Sequence, residues 1–120
     1  MQPPESPLID LISADRGEAT IEMGLTYDGV TPVVVRIRKR DGRYKVSDDG
    51  RAVSAAGVVG RRVAYPDGID LDEYSVNVSR QGVVWLPAAT PNDEWLATIC
   101  ALVARGSVTL YERLLELEEV

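Results

Sequence analysis

The sequence predicts an α+β fold: an antiparallel β-meander plus a second β-hairpin, with a long C-terminal helix packed on the apolar face of the sheet. Apolar and polar residues alternate from Glu18 to Thr26, as they do in half-buried strands. The pair Asp41-Gly42 separates two further strand-like runs, which is the signal of a two-residue hairpin turn. Near the end of the chain, apolar residues recur with the 3.6-residue period of an amphipathic helix.

Length and composition indicate an ordinary globular protein with a single domain, 1–120. Of the 120 residues, 45% are hydrophobic and 27% are charged. We expect a frayed terminus over 1–5 and a short helix from Ser6-Pro7 to Gly17. No apolar run could span a bilayer and no secretion signal is visible, so we expect a cytoplasmic protein without membrane contacts. The single cysteine, Cys100, fits a reducing compartment and is expected in the core.

The first connection determines the register of the first two strands. A two-residue loop at Asp28-Gly29 would mix the apolar and polar faces, whereas a three-residue loop of Asp28, Gly29 and Val30 keeps the apolar residues together. The predicted pairs are Leu25 with Val33, Met23 with Val35, Ile21 with Ile37 and, on the other face, Glu22 with Arg36.

The next hairpin joins strands 33–40 and 43–47 and separates two kinds of side chain. One face carries apolar residues suited to a core, namely Val35, Ile37, Tyr44 and Val46. The other, called the basic face below, carries Arg36, Arg38, Arg40, Arg43 and Lys45. Like charges directly opposite each other destabilise a sheet, so we expect acidic neighbours or an anionic partner. The alternative interpretation is a face that is only solvated.

The segment Ser47-Asp48-Asp49-Gly50 has the composition of a turn before a short helix over 51–56, with Gly57 at the end of the helix. We interpret Asp48, Asp49 and Gly50 as turn and cap residues. Two adjacent carboxylates supply too few oxygen ligands for a divalent cation, so no metal site is predicted.

A further hairpin is expected around 79–82, after an extended segment at 58–64 and a turn at 65–68. Tyr74, Val76 and Val78 would form one strand, Val83 and Trp85 the other, and Pro87 would close it.

The long helix is expected to begin at Thr90-Pro91. Gly106 either allows close packing within one helix to about residue 117 or separates two helices. The predicted apolar stripe comprises Trp95, Leu96, Ile99, Leu102, Val103, Leu110, Leu114 and Leu117.

Acidic residues lie in the last turns of this helix, where the helix dipole disfavours negative charge: Glu112, Glu116, Glu118 and Glu119. The helix packs on the apolar face, so these acids cannot easily reach the basic face of the same molecule unless the helix overhangs the edge of the sheet. We therefore expect an intermolecular contact, and a homodimer is one form of it.

Several kinds of chemistry are excluded by the residue types. The chain has no histidine, which removes the Ser-His-Asp triad, the Cys-His dyad and the common zinc sites. The segment 57–60 lacks the spacing and the lysine of a phosphate-binding loop. Trp85 and Trp95 are interpreted as core or interface anchors rather than as ligand cages. We predict no catalytic residue, no cofactor and no enzyme activity.

The run Gly42-Arg43-Tyr44-Lys45-Val46-Ser47-Asp48-Asp49-Gly50, with an alternating strand before it and a short apolar helix after it, resembles a bacterial family known only as domain of unknown function eighteen twenty-eight. The resemblance extends from about Glu18 to the C-terminal helix. It implies an α+β domain of bacterial or phage origin, often in mobile-element settings, and it implies no established activity or site residues.

The function we expect is that of a non-catalytic binding or regulatory protein that acts through protein–protein contacts. The alternative is a nucleic-acid-binding module that uses the basic face. The net charge of −6 argues against a protein whose main task is to coat nucleic acid, because that affinity depends on neutralising phosphates. A third hypothesis is an enzyme that uses the carboxylates of Asp48 and Asp49.

Overall fold

The computed structural model describes residues 17–57, 76–79, 81–88 and 93–118. Its elements, in chain order, are β1 (Glu18–Thr26), β2 (Pro32–Arg40), β3 (Arg43–Ser47), α1 (Arg51–Ala56), β4 (Asn77–Val78), β5 (Val84–Ala88) and α2 (Asp93–Glu118). The predicted α+β class is confirmed. The predictions for 1–16, for 58–68, for Tyr74 and for the Thr90-Pro91 helix start lie outside the described residues.

All five strands belong to one antiparallel sheet with the order β1-β2-β3-β5-β4. β3 pairs with β2 on one side and with β5 on the other, so the meander and the second hairpin share one sheet. The sequence did not indicate this β3–β5 pairing. Pro87 does not close the hairpin as predicted, because β5 continues to Ala88 and Pro87 lies opposite Lys45.

The β2–β3 hairpin has the predicted register and turn. Arg40 lies opposite Arg43, and Asp41 and Gly42 have φ angles of 52° and 74°, the left-handed pair that a type I′ turn requires. The predicted core residues of this hairpin are all buried: Val35, Ile37, Tyr44 and Val46.

The β1–β2 loop is as predicted. The backbone N–H of Tyr27 donates to the carbonyl of Thr31 at 3.0 Å, which encloses Asp28, Gly29 and Val30. The next pair, Thr26 with Pro32, keeps the predicted register.

Beyond this pair the predicted β1–β2 register is wrong. It shifts between Glu22 and Thr26, so that Ile21 lies opposite Val35 and not Ile37, and Thr20 rather than Glu22 lies opposite Arg36. The same shift removes the predicted pairs of Met23 and Leu25. Gly24, with a φ of 72°, supplies the left-handed conformation that such a bulge uses. The shift is two residues long, so the paired residues from Glu18 to Glu22 stay on their predicted faces and the alternation does not reveal it.

α2 is one helix that packs on the apolar face and contacts β1, β2, β3 and β5. The alternative of two helices is therefore wrong. A Cβ atom at Gly106 would lie 2.9 Å from Val76 Cγ2 and 3.2 Å from Val84 Cγ1, so the glycine allows the helix to approach these valines. The prediction that Trp95 belongs to the packed apolar stripe is wrong, because this residue is 47% exposed. The side chain of Leu117 lies outside the described residues.

Cys100 lies in the core, as predicted. Burial raises the pKa of its thiol to about 11, so the reactive thiolate is disfavoured at neutral pH. No helix in the described part of the chain has the combination of length and apolar character that a membrane crossing needs.

Candidate binding site on the outer face of the sheet

The basic face is the side of the sheet opposite α2, and we call this side the outer face. α1 packs against α2, so no described helix covers the outer face. The pairing register places all five predicted binding residues on it: Arg36, Arg38, Arg40, Arg43 and Lys45. Arg36 and Arg38 are half-buried, whereas the other three are exposed.

Arg36 and Arg38, called the paired arginines below, have acidic partners. Arg36 Nε lies 3.0 Å from Asp49 Oδ2, and Arg38 Nε lies 3.3 Å from Glu18 Oε1. Arg38 Nη2 also lies 3.9 Å from Asp49 Oδ1. The Ser47 hydroxyl donates to Asp49 Oδ1 at 3.1 Å, which holds this carboxylate beside both guanidinium groups. The acidic neighbours expected from the sequence are therefore present for this part of the face.

Arg40, Arg43 and Lys45, called the tip cations below, make no ion pair with a described residue. Arg40 lies directly opposite Arg43, and Lys45 lies opposite Arg38. The tip cations and Arg38 line an open cavity of about 260 Å³, the tip pocket, together with Tyr44. Three of the four cations that line this cavity therefore have no acidic partner in the described part of the chain.

Trp85, interpreted from the sequence as a core or interface anchor, belongs to the candidate site, although the sequence analysis did not place it on the basic face. It is not a core residue, because β5 places it opposite Ser47 on the outer face, where it is half-buried. Lys45 Nζ lies 4.8 Å from the centre of its ring, within cation–π range. Alternation with the buried Val84 could have placed Trp85 on a surface, but only the β3–β5 pairing shows that this surface is the basic one.

Asp48 is a buried hydrogen-bond acceptor. Its carboxylate accepts the N–H groups of Gly50 and Val84, each at 2.9 Å, and the Ser107 hydroxyl at 2.7 Å. The N–H of Ala52 lies farther away, at 3.5 Å. Burial raises the pKa of Asp48, and these hydrogen bonds act in the opposite direction. The buried carboxylate of Asp48 thus accepts hydrogen bonds from the backbone of the turn and of α1.

The predicted cap role needs correction for Asp49. The N-cap position of α1 is held by Gly50, which has no side chain to offer, so the carboxylate of Asp48 accepts the nearby amides instead. Asp49 has a left-handed φ of 55° and directs its carboxylate to Arg36. The two adjacent acids therefore have different roles: Asp48 accepts hydrogen bonds in the interior, and Asp49 pairs with Arg36 on the outer face.

A second hydrogen bond extends the environment of Asp48. The Ser107 hydroxyl uses its hydrogen for Asp48, so the Tyr27 hydroxyl is the donor in the 2.7 Å contact with Ser107 Oγ. Burial raises the pKa of Tyr27 to about 12. We call Tyr27, Ser107 and Asp48 the interior network. All three residues are buried.

Among the described side chains, the acids that pair with the outer face lie in β1 and in the turn before α1, and none lies in α2. Of the acids at the end of α2, Glu116 pairs with Arg113 at 3.4 Å, and Glu112 is exposed. The side chains of Glu118 and Glu119 lie outside the described residues. An intermolecular role for this acidic end stays a prediction.

Among the described residues, no three Cys, Asp or Glu side chains are grouped so that they could hold a metal ion. No family model, no curated protein and no solved structure matches the chain. The resemblance to family eighteen twenty-eight stays a prediction, and it supplies no site residue.

Proposed function

We propose that the protein is a non-catalytic binding protein that recognises an acidic segment of a protein partner through the tip cations and Trp85. The single observation that carries the proposal is the contrast within the basic face. Two of its five cations, Arg36 and Arg38, have acidic partners, whereas the tip cations have none among the described residues. Opposed like charges destabilise the hairpin, and an acidic partner would relieve that repulsion.

The residue types favour a protein as the partner. Tryptophan and arginine are enriched among the residues that dominate protein–protein affinity, and both occur on this open face. Trp85 retains accessible surface beside Lys45, so a partner could bury its ring while an acid of the partner meets the tip cations. A short acidic segment matches a positive region that is limited to one end of the hairpin.

Nucleic acid is the second candidate, and the Lys45–Trp85 contact is the observation that favours it. A base could stack on the accessible ring while cations contact the phosphates. The net charge of −6 opposes this candidate, because a long polyanion meets the repulsion of the whole protein. The acids beside Arg36 and Arg38 reduce the positive charge further.

The carboxylates considered for catalysis are poorly placed for it. Asp48 is buried with its oxygens engaged, and Asp49 is held by the paired arginines. This supports a binding role over an enzymatic one. The expected cytoplasmic location and a homodimer as one form of the contact remain part of the proposal.

A peptide-display selection tests the proposal and requires no purified partner. The immobilised protein is offered a library of random linear peptides, and the affinity of each enriched peptide is then measured for the wild type and for the double variant Arg40→Gln/Arg43→Gln. We expect the enriched peptides to be rich in Asp and Glu and to lose at least about tenfold in affinity on the double variant. Arg105→Gln is the matched control, because Arg105 is exposed on α2, away from the outer face.

Two results would overturn the proposal. One is a set of enriched peptides that bind the double variant as well as the wild type. The other is failure to enrich any acidic peptide while a single-stranded oligonucleotide pool is retained, with an affinity that falls steeply as salt rises. The second result would establish nucleic acid as the ligand.

A further inference from the structure

We infer that the tip pocket is a site for a phosphate monoester carried by the partner, as on a phosphoserine or phosphothreonine side chain. This rests on the proposed function and names the chemical group that the pocket recognises. The pocket brings Arg38, Arg40, Arg43 and Lys45 around one cavity of about 260 Å³.

The ion pairs within the protein show how many guanidinium groups one carboxylate contacts closely on this sheet. Glu18 engages one guanidinium group, at Arg38, and Asp49 contacts Arg36 at 3.0 Å with a longer approach to Arg38 at 3.9 Å. A single carboxylate on the partner would therefore leave part of the charge at the tip unmatched.

A phosphate monoester matches the tip more completely. It carries up to two negative charges and three acceptor oxygens, and guanidinium groups bind it through paired hydrogen bonds. Arg40 and Arg43 face each other across the hairpin, so one group between them could accept from both. Lys45 adds a third cation on the same side of the sheet.

The acid nearest in sequence to the tip cations is Asp41, in the turn between Arg40 and Arg43. It is exposed and makes no ion pair within the described ranges. Asp41 opposes an anion at the tip through its charge but does not neutralise either arginine by contact. The type I′ turn, with Asp41 at a φ of 52°, holds the two strand ends together and so presents both arginines as a pair.

The compact form of the site favours a phosphate on a protein over the backbone of a nucleic acid. On the basic face, the cations without an acidic partner among the described residues lie at the hairpin end, whereas Arg36 and Arg38, farther along the strand, already have partners. A nucleic acid strand needs a continuous positive groove, and the negative charge of the whole chain repels a long polyanion.

The test compares three synthetic peptides that share one acidic sequence from the display selection and differ at a single central position. That position holds serine, aspartate or phosphoserine, and calorimetry measures each affinity at physiological salt. We expect the phosphoserine peptide to bind at least about tenfold more tightly than the aspartate peptide. The advantage should disappear in Arg40→Gln/Arg43→Gln and persist in Arg105→Gln, with circular dichroism confirming that the variants are folded.

The pH dependence gives a second readout. A phosphate monoester gains its second charge at a pKa of about 6, so affinity for the phosphoserine peptide should rise from pH 5.5 to pH 7.5, whereas affinity for the aspartate peptide should stay nearly constant. The protein has no histidine, so no imidazole contributes to this change.

Three results separate the failure modes. Equal affinity for the aspartate and phosphoserine peptides overturns the phosphate inference and leaves the proposed function standing. Failure of all three peptides to bind overturns both. A single-stranded oligonucleotide that binds as tightly as the phosphoserine peptide, with no rise in affinity between pH 5.5 and pH 7.5, assigns the pocket to a phosphodiester and overturns the monoester assignment.

Discussion

The interior network and the tip cations are two polar regions of opposite character. In the interior, Asp48 accepts hydrogen bonds from two nearby amides and from Ser107, and Ser107 in turn accepts one from Tyr27. At the tip, Arg40 and Arg43 lie opposite each other without a counter-charge among the described residues. The first region is closed to solvent and satisfied within the fold, whereas the second is open and has no acidic partner among the residues that the structure describes.

Because of this difference, we expect the interior network to determine stability and the tip cations to determine binding. Removing a partner from a satisfied buried group leaves the other group unpaired in a medium of low polarity, which destabilises the fold. Removing a surface cation that has no acidic partner leaves no buried polar group without a hydrogen bond, and it relieves the repulsion between opposed like charges. Substitutions in the interior network should therefore change the free energy of unfolding, and substitutions at the tip should change affinity.

The largest expected effect is that of Asp48→Asn. The new amide would direct hydrogens at groups that are themselves donors, and we expect a loss of about 3 kcal/mol in the free energy of unfolding. Asp49→Asn is the matched control, because the neighbouring acid makes only partly exposed ion pairs and should cost about 1 kcal/mol or less. Urea unfolding of both variants measures this. Equal losses would remove the distinction between the two acids.

Ser107→Ala should come next. It removes the link between Tyr27 and Asp48 and leaves a buried hydroxyl without its acceptor, so we expect a loss of about 2 kcal/mol. The exposed Ser54→Ala, in α1, should change stability by less than about 0.5 kcal/mol. A double-mutant cycle with Tyr27→Phe should show coupling between the two hydroxyls, and additive effects would argue against the network.

The pH dependence of stability tests the effect of burial on Asp48. Burial raises the pKa of Asp48 in the folded protein above the ordinary value of 3.8, so the folded state takes up this proton more readily than the unfolded chain does. The contribution of Asp48 to stability therefore rises as the pH falls through the folded-state pKa towards 3.8. The difference in unfolding free energy between wild type and Asp48→Asn should widen from neutral to mildly acidic pH. If the difference in unfolding free energy narrows towards acidic pH instead, the pKa of Asp48 is not raised in the folded protein.

At the hairpin tip, a substitution should raise the free energy of unfolding, whereas the substitutions in the interior network lower it. Arg43→Glu replaces a repulsive cross-strand pair with an attractive one, and we expect a gain of about 0.2–1 kcal/mol in thermal or urea unfolding. The same variant should lose its affinity for the acidic peptide. Arg105→Glu changes the net charge equally and should retain that affinity. A destabilised Arg43→Glu variant would mean that the arginine has a structural role.

The smallest expected effect is that of Asp41→Asn. Asn-Gly is as suitable as Asp-Gly for the type I′ turn, so stability should change by less than about 0.5 kcal/mol. Loss of a negative charge beside the pocket should raise peptide affinity about twofold at low salt, and less at high salt. Fluorescence anisotropy at both salt concentrations would detect this. An affinity that stays unchanged at low salt would contradict a site that depends on charge.

Local pattern was sufficient to predict the elements that depend on neighbouring residues. The alternation in β1, the Asp41-Gly42 turn and the two faces of the β2–β3 hairpin all follow from residue type and spacing. The five basic residues of the outer face could therefore be predicted. The helix α2 could be predicted as well, since its period is sustained over many turns.

The remaining features depend on contacts between distant residues. The bulge at Gly24 shifts the register by two. A glycine inside a strand is a signal of a bulge but does not give the size of the shift, and the alternation of apolar and polar residues does not reveal a shift of two. The positions of Trp85 and of Asp48 depend on the pairing of β3 with β5, which nothing in either strand specifies alone. For the same reason the sequence did not distinguish the buried carboxylate of Asp48 from the surface carboxylate of Asp49.

We propose that the partner binds at the hairpin tip and not at another surface. Nuclear magnetic resonance of the ¹⁵N-labelled protein, titrated with the selected acidic peptide, locates the binding surface residue by residue. We predict that amide shifts will be concentrated at residues 38–45 and that the indole N–H of Trp85 will move with them. Shifts concentrated on α2, or none in the hairpin at saturating peptide, would contradict the account.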